Sequence, residues 1–268
     1  MRYTILAVLL AAAAPAAFAA PVPKEQLLVP PKDAAHYVVV SEAGNHGDMW
    51  RWTLPDGRIA YRHSQALRGW ISETDQVVKL GTDGLPTSIE VRGITPNGDA
   101  AETLAVADGK ATWKSTADSG SADARAAYYL VAGGVPLSNE GMTNALVAAG
   151  NAGLDLLPSG HATLKRASTL TIQGPSGPKT VQLAFVRGIL ASPVPVWLDE
   201  SGKYFAEVSH LTYMPAGFES PANMKAMREA QEAATAAEVK AIAKRFLTAA
   251  AKAPVLFDNV RLFDADKG

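Results

Sequence analysis

The five histidines are the side chains of this chain best suited to bind a metal ion or to carry protons, and their spacing supports neither role. They are His36, His46, His63, His161 and His210. No two of them form a His-x-His motif, and no pair has the i, i+4 spacing that places two zinc ligands on one face of a helix. We expect them to be exposed or capped, and convergence of three of them in space is the alternative.

Other metal-binding and nucleophilic groups are excluded or not indicated. The chain contains no cysteine, which excludes disulfides, thiolate zinc sites and a cysteine nucleophile. The motif Gly-x-Ser-x-Gly is absent, and Ser176 lies in a predicted turn at 174–177 rather than at a strand-to-helix elbow. Residues 93–98 have the glycine spacing of a phosphate loop, but Asp99 stands where a lysine is needed and would repel phosphate.

One pair of carboxylates is spaced for joint chemistry. Glu73 and Asp75 occupy positions i and i+2 of a predicted strand, so their side chains share one face. Two carboxylates on one face can do acid/base work or hold a cation. We expect the simpler arrangement, a strand face exposed to solvent.

The tryptophans are also placed on predicted strands. Trp50 and Trp52 share one strand face, while Trp70, Trp113 and Trp197 lie on other strands. Tryptophans at such positions usually cover the core of a sheet, and a ligand cleft is the alternative. We assign no catalytic, cofactor-binding or metal-binding residue to this chain from its sequence.

Length and charge limit the classes of protein that fit. The chain has 268 residues, of which 48% are hydrophobic, enough to bury a core in one or two domains. Its 25 Lys and Arg nearly balance 26 Asp and Glu, so nucleic acid is not an expected partner. The 22 glycines and 17 prolines favour many short strands over a helical bundle.

Short alternating runs predict an antiparallel sheet over most of the chain. Asp108-Gly109 has the composition of a tight hairpin turn, and the Ser/Gly/Asp-rich segment 118–123 is predicted as a flexible loop. The predicted strands lie at 37–40, 49–54, 58–63, 70–80, 85–94, 105–106, 111–113, 162–172, 180–188, 194–198 and 204–208.

Two segments have helical periodicity. The first covers 137–150, where Ser138 is a candidate N-cap and Gly150 a candidate end. The second follows Ser220-Pro221 and covers 222–252, either as one helix or with a restart at Thr235-x-x-Glu238. The predicted fold class is therefore α+β: a large, antiparallel, curved β-sheet with one inserted helix, followed by a long C-terminal connector helix and a terminal strand.

The amino terminus has the features of a secretory signal peptide. Arg2 is followed by an apolar stretch at 5–14 and by Ala17-Phe18-Ala19, which fits a cleavage site. Pro15 interrupts the apolar run, so no integral membrane segment is expected after cleavage. Export to the periplasm, or secretion, from a bacterial cell is predicted. The predicted division is a signal peptide at 1–19, a β-rich domain at 20–219, a helical connector at 220–253 and a strand of a following domain at 254–268.

The last residues resemble a known family. Residues 254–268, with Asn259-Val260-Arg261-Leu262-Phe263-Asp264 at their centre, are similar to the opening strand of the amidohydrolase superfamily. Ala265 replaces the usual glycine of that strand. Two earlier segments, Leu156-Leu157-Pro158-Ser159-Gly160 and Val196-Trp197-Leu198-Asp199, resemble the amino-terminal extension of some exported bacterial amidohydrolases.

The resemblance implies a small β-domain and a metal-dependent (β/α)₈ barrel after Gly268. The family's His-x-His ligands would lie in that barrel, so the divalent metal belongs to the missing domain and this chain alone is expected to be inactive. The barrel would be the partner of this chain, which would cap it or help to select substrates, and the parent would hydrolyse C–N bonds.

Two hypotheses of other classes stay open. A curved antiparallel sheet with a helix on its concave face resembles the periplasmic lipoprotein-carrier family in outline, which implies a stand-alone binding protein for an apolar ligand. A structural or docking module without a small ligand is the third. The oligomeric state, the substrate and the metal cannot be read from the sequence.

Overall fold

The protein is an α+β molecule dominated by antiparallel strands, as the sequence predicts. The structure is a computed structural model, and it describes residues 22–124, 127–246, 256 and 258–261. Within these residues, sixteen strands and two α-helices are connected mainly by tight turns.

The first sheet has ten strands in the order β16-β1-β2-β3-β4-β5-β7-β8-β9, with the short β6 paired to β5. Neighbouring strands are antiparallel, and from β1 to β9 the chain winds across this sheet almost in sequence order, with β16 added beside β1. The turn at Asp108-Gly109 has positive φ at both residues, 51° and 72°, as its composition predicts. The strands are β1 Ala35–Ser41, β2 Gly44–Thr53, β3 Ile59–Leu67, β4 Trp70–Leu80, β5 Pro86–Thr95, β6 Gly98–Asp99, β7 Glu102–Ala107, β8 Lys110–Lys114, β9 Ser119–Asp123 and β16 Thr212–Pro215.

The second sheet has six strands in the order β10-β11-β12-β13-β14-β15. Its pairs are antiparallel except for β10 and β11, which run parallel. A backbone bridge between Glu207 and Tyr213 joins this sheet to β16, so the two sheets form one curved surface. The strands are β10 Ala127–Tyr129, β11 Leu154–Leu157, β12 His161–Gly174, β13 Gly177–Arg187, β14 Val194–Leu198 and β15 Tyr204–Ala206.

Helix α1, Asn139–Ala149, covers the inner face of this surface. Leu137, Met142 and Leu146 are buried there in one cluster with inward-facing residues of both sheets. Gly150 ends the helix with φ of 60°, as predicted. Ser138 does not cap it, because it lies in a 3₁₀ turn, Pro136–Ser138, with a helical backbone conformation that keeps its hydroxyl from the cap position.

Helix α2, Pro221–Phe246, packs on the opposite, outer face. Met227 is fully buried in a second cluster formed by outward-facing residues of β1, β13, β14 and β16. Ser220 accepts a hydrogen bond of 3.2 Å from the amide of Asn223, which confirms the predicted start. The helix is continuous over its described length, so the alternative restart at Thr235 does not occur.

Three predicted segments differ from the structure or extend outside the described residues. The segment 118–123 is not a flexible loop, because Ser119–Asp123 pairs with β8 as the edge strand β9. The signal peptide at 1–19 and residues 247–253 of the connector lie outside the described residues. Of the predicted terminal strand at 254–268, residues 256 and 258–261 are described and adopt no strand, and the rest lies outside.

Candidate functional site

Tyrosines from both sheets converge on the inner face, beside the first turn of α1. Side chains alternate between the two faces of a strand, so the tyrosine of each strand lies on the same face as the residues two positions away. The inward-facing tyrosines near α1 are Tyr37 on β1, Tyr61 on β3, Tyr128 on β10, Tyr204 on β15 and Tyr213 on β16.

Glu140 anchors the first turn of α1 to this tyrosine cluster. Its Oε1 accepts hydrogen bonds from Nε of Arg51 at 2.7 Å and from the hydroxyl of Tyr61 at 3.0 Å. Burial alone would lower the pKa of Arg51, but the Glu140 carboxylate outweighs it and the pKa is raised. Arg51 therefore stays protonated beside this carboxylate.

The tyrosine hydroxyls of the cluster stay protonated at neutral pH. Burial, followed by the negative charge of Glu140, raises the pKa of Tyr61 and of Tyr128 above the ordinary value. Burial and the charge of Glu207 raise the pKa of Tyr213 to about 12. The hydroxyls can form hydrogen bonds, but none is placed to act as a tyrosinate base or nucleophile.

A cavity of about 310 Å³ opens at one end of this cluster, between the start of α1, the segment after β10 and the junction of the two sheets. Glu207 supplies the charged side chain of its lining, with Tyr128, Tyr213 and Met142 as large neighbours. The Glu207 Oε1 accepts a hydrogen bond of 3.0 Å from the Asn139 side chain. Burial raises the pKa of Glu207, against the lowering effect of Asn139 and of the nearby Tyr204 hydroxyl.

Buried polar side chains hold the segment that forms the cavity wall. The Glu102 carboxylate accepts hydrogen bonds from the amides of Ala132 and Gly133 and from the hydroxyl of Tyr129. The side chain of Gln76 accepts a further bond of 3.0 Å from the amide of Val135. The wall is thus fixed to the first sheet at several backbone positions.

The histidines are spread over the molecule. His63 is buried beside Gln65, and burial lowers its pKa to about 4, so it is neutral at pH 7. The prediction of an exposed or capped side chain is wrong for His63, since its strand position faces the core. The others are His36, bonded to Asp48; His46, bonded to Ser41; His161, bonded to Asp155; and the exposed His210.

Glu73 and Asp75 share one face of β4, but that face is not solvated as expected. Glu73 forms ion pairs with Arg62 and Lys24, and Asp75 pairs with Arg92. Asp75 also accepts a hydrogen bond of 2.7 Å from the amide of Leu28. The two carboxylates therefore hold the segment before β1 against the outer face of the sheet. Their oxygens are occupied by these ion pairs and hydrogen bonds.

The tryptophans have different roles. Trp113 and Trp197 are buried in the core, as expected, whereas Trp70 is 68% exposed. Trp50 and Trp52 do share a face, which is the outer one, and the ring of Trp50 stacks on His36 with 5.4 Å between centroids. None of the five lines the inner-face cavity.

The remaining motifs have the predicted local structure. Ser176 lies in the hairpin turn between β12 and β13. Residues 93–98 span the end of β5 and the short β6, with no helix following them as a phosphate loop requires.

The described residues contain neither a cluster of metal ligands nor a membrane-spanning helix. No group of three or more His, Cys, Asp or Glu in this part of the chain is placed to hold a metal ion. No helix among the same residues has the length and apolar character needed to cross a membrane.

The sequence did not point to the inner-face cavity. Glu140, Glu207 and the tyrosines come from distant positions, and no spacing rule connects them. The available signal was one tyrosine at an inward position on several strands, which is also typical of an ordinary core.

The chain has no match among family models, curated proteins or solved structures.

Proposed function

We propose that this chain is the non-catalytic amino-terminal domain of an exported, metal-dependent amidohydrolase. Residues 1–19 would direct it to the periplasm, and residues 254–268 would begin the domain that carries the catalytic barrel. The parent enzyme would hydrolyse C–N bonds with a metal-activated water, and this domain would cap the barrel or dock against it.

The observation that carries the proposal is a change in exposure along and beyond α2. Met227 is fully buried against the sheet, whereas Val239 is 51% exposed on the same helix. Further along, Leu256 is 88% and Val260 59% exposed. A large apolar side chain left exposed to water is a position that another structural unit can cover. Leu256 and Val260 belong to the segment that resembles the opening strand of the family.

The residues of this chain do not form the family's metal site. A His-x-His motif is absent from the sequence, and the described part of the chain brings no three potential ligands together. We therefore assign no step of hydrolysis to this domain.

The filled inner face weakens the lipoprotein-carrier hypothesis. Leu137, Met142 and Leu146 occupy the inner face that a carrier of acyl chains would keep open. The cavities that reach this core measure about 310 Å³, 420 Å³ and 50 Å³, and the two larger ones are lined by charged side chains, Glu207 in one and Lys165, Arg166 and Arg187 in the other. An apolar chain would have to displace packed core residues to bind there.

The test is to read the source genome downstream of codon 268. The proposal predicts an open frame that encodes a second strand and then a His-x-His motif. Purified full-length protein should hydrolyse C–N bonds in a metal-dependent manner, and replacing the first histidine of that motif should abolish the activity. A stop codon directly after Gly268 would overturn the proposal.

A further inference from the structure

The cavity beside α1 combines one acidic side chain with aromatic walls. Tyr128, Tyr129 and Tyr213 line it together with Met142, and Glu207 is the charged residue among its lining residues. No lysine, arginine or histidine is part of that lining. At about 310 Å³, the cavity has the size of a small-molecule site.

Glu207 lacks a cationic partner among the described residues. Its hydrogen bond comes from the neutral side chain of Asn139. The arginine of the tyrosine cluster, Arg51, is paired with Glu140 instead. A partly buried carboxylate without a counter-charge is unfavourable, because water no longer solvates it fully. A ligand that brings a positive charge would remove this cost.

We propose that this cavity binds a small organic cation of the alkylammonium class. Glu207 supplies the counter-charge, and the faces of Tyr128 and Tyr213 stabilise the cation through their negative ring potential. Met142 covers the apolar part of the ligand. The site is independent of any catalytic barrel, since its residues all belong to the inner face of this chain.

The negative charge of the lining excludes an anionic ligand. Asn139 and the following residues form the start of α1, an end of a helix that attracts anions. The Asn139 side chain at that end already donates a hydrogen bond to Glu207, and the Glu207 carboxylate would repel a phosphate or a second carboxylate.

The experiment is isothermal titration of the protein with choline chloride. Sodium chloride at the same ionic strength is one control, and 3,3-dimethyl-1-butanol, the uncharged analogue of choline, is another. We expect saturable binding of choline at one site per chain and binding of the alcohol weaker by about tenfold or more, since the alcohol lacks the charge that pairs with Glu207. No saturable binding of choline, or equal binding of the alcohol, would overturn the proposal.

Substitutions of cavity residues test whether choline binds in this cavity. Glu207→Gln should weaken choline binding by about tenfold or more, whereas Glu229→Gln on the exposed face of α2 should leave it unchanged. Tyr213→Phe keeps the aromatic face and should retain binding, while Tyr213→Leu should lose most of it. If Glu207→Gln does not fold, Ala132→Phe serves as the test variant instead. Ala132 is exposed and lines the cavity, so a phenylalanine there should fill the cavity and block choline binding. Undiminished binding in the folded Glu207→Gln or Ala132→Phe variant would contradict the proposed site.

Discussion

Glu207 and Tyr213 exchange two backbone hydrogen bonds of 2.9 Å each, at the bridge that joins the two sheets. Residues directly opposite each other in an antiparallel pair point to the same face, so the Glu207 carboxyl and the Tyr213 ring lie side by side on the inner face. The junction of the two sheets therefore also forms part of the wall of the cavity. A change at this pair affects both the stability of the junction and the chemistry of the cavity.

The stability of the protein should depend on pH through Glu207. Its pKa is raised by burial in the folded state, so the folded protein holds this proton more tightly than the unfolded chain does. Stability from this group is fully present below the unfolded value of about 4.3 and is lost as pH rises through the higher folded value.

Urea unfolding between about pH 3.5 and pH 7 measures this effect. Relative to Glu207→Gln, the wild type should lose stability as the pH rises across that range. Parallel curves for the two proteins, or a wild type that gains stability with rising pH relative to the variant, would show that burial does not raise this pKa.

Glu73 should act in the opposite direction. Burial alone would raise its pKa, but hydrogen bonds from Lys24, Arg62 and Ser64 together lower it. Its contribution is present above the unfolded value of about 4.3 and is lost as pH falls through the lower folded value. Glu73→Gln should therefore destabilise the protein at pH 7 and have a smaller effect at low pH. The matched control is Glu90→Gln, an exposed position on β5, for which the same urea series should show little change.

The Glu140 ion pair should fasten α1 to the first sheet. Glu140→Ala leaves Arg51 without its carboxylate and Tyr61 without a hydrogen-bond acceptor, so we expect a loss of about 3 kcal/mol in the free energy of unfolding. Urea unfolding monitored by circular dichroism gives this value. A loss below about 0.5 kcal/mol, the range of ordinary surface substitutions, would mean that α1 is held by apolar packing alone.

Helix α2 should stabilise the fold through its sheet-facing side chains only. Met227→Ala removes a fully buried side chain and should cost about 3 kcal/mol, whereas Val239→Ala removes one that is 51% exposed and should cost less than about 0.5 kcal/mol. Equal small effects in the two variants would show that the helix does not pack as described. Equal large effects would show that Val239 is covered in solution.

Local patterns predicted much of the fold because local chemistry determines it. Asp108-Gly109 adopts the positive φ values that its residue types allow, and Gly150 ends α1 for the same reason. The edge strand β9 was missed because its sequence, Ser119–Asp123, has the composition of a loop. Its pairing depends on tertiary contact, since Gly120 lies so close to the ring of Trp113 that a Cβ there would be 2.5 Å from Cζ2.

The candidate site was less accessible to sequence reasoning because its contacts join distant residues. Glu140 meets Arg51 across 89 positions, and Asn139 meets Glu207 across 68. Glu73 was expected to be solvated for the same reason, as its partner Lys24 comes from a segment 49 positions earlier. A period of two predicts which face a residue occupies but not which side chains cover that face.

Peptide mapping of the native protein, isolated from the cells that produce it, tests the proposed function most directly. The mature chain should begin at Ala20 and continue well past Gly268, with a peptide containing His-x-His in the continuation. A native chain whose last peptide ends at Gly268 would contradict it.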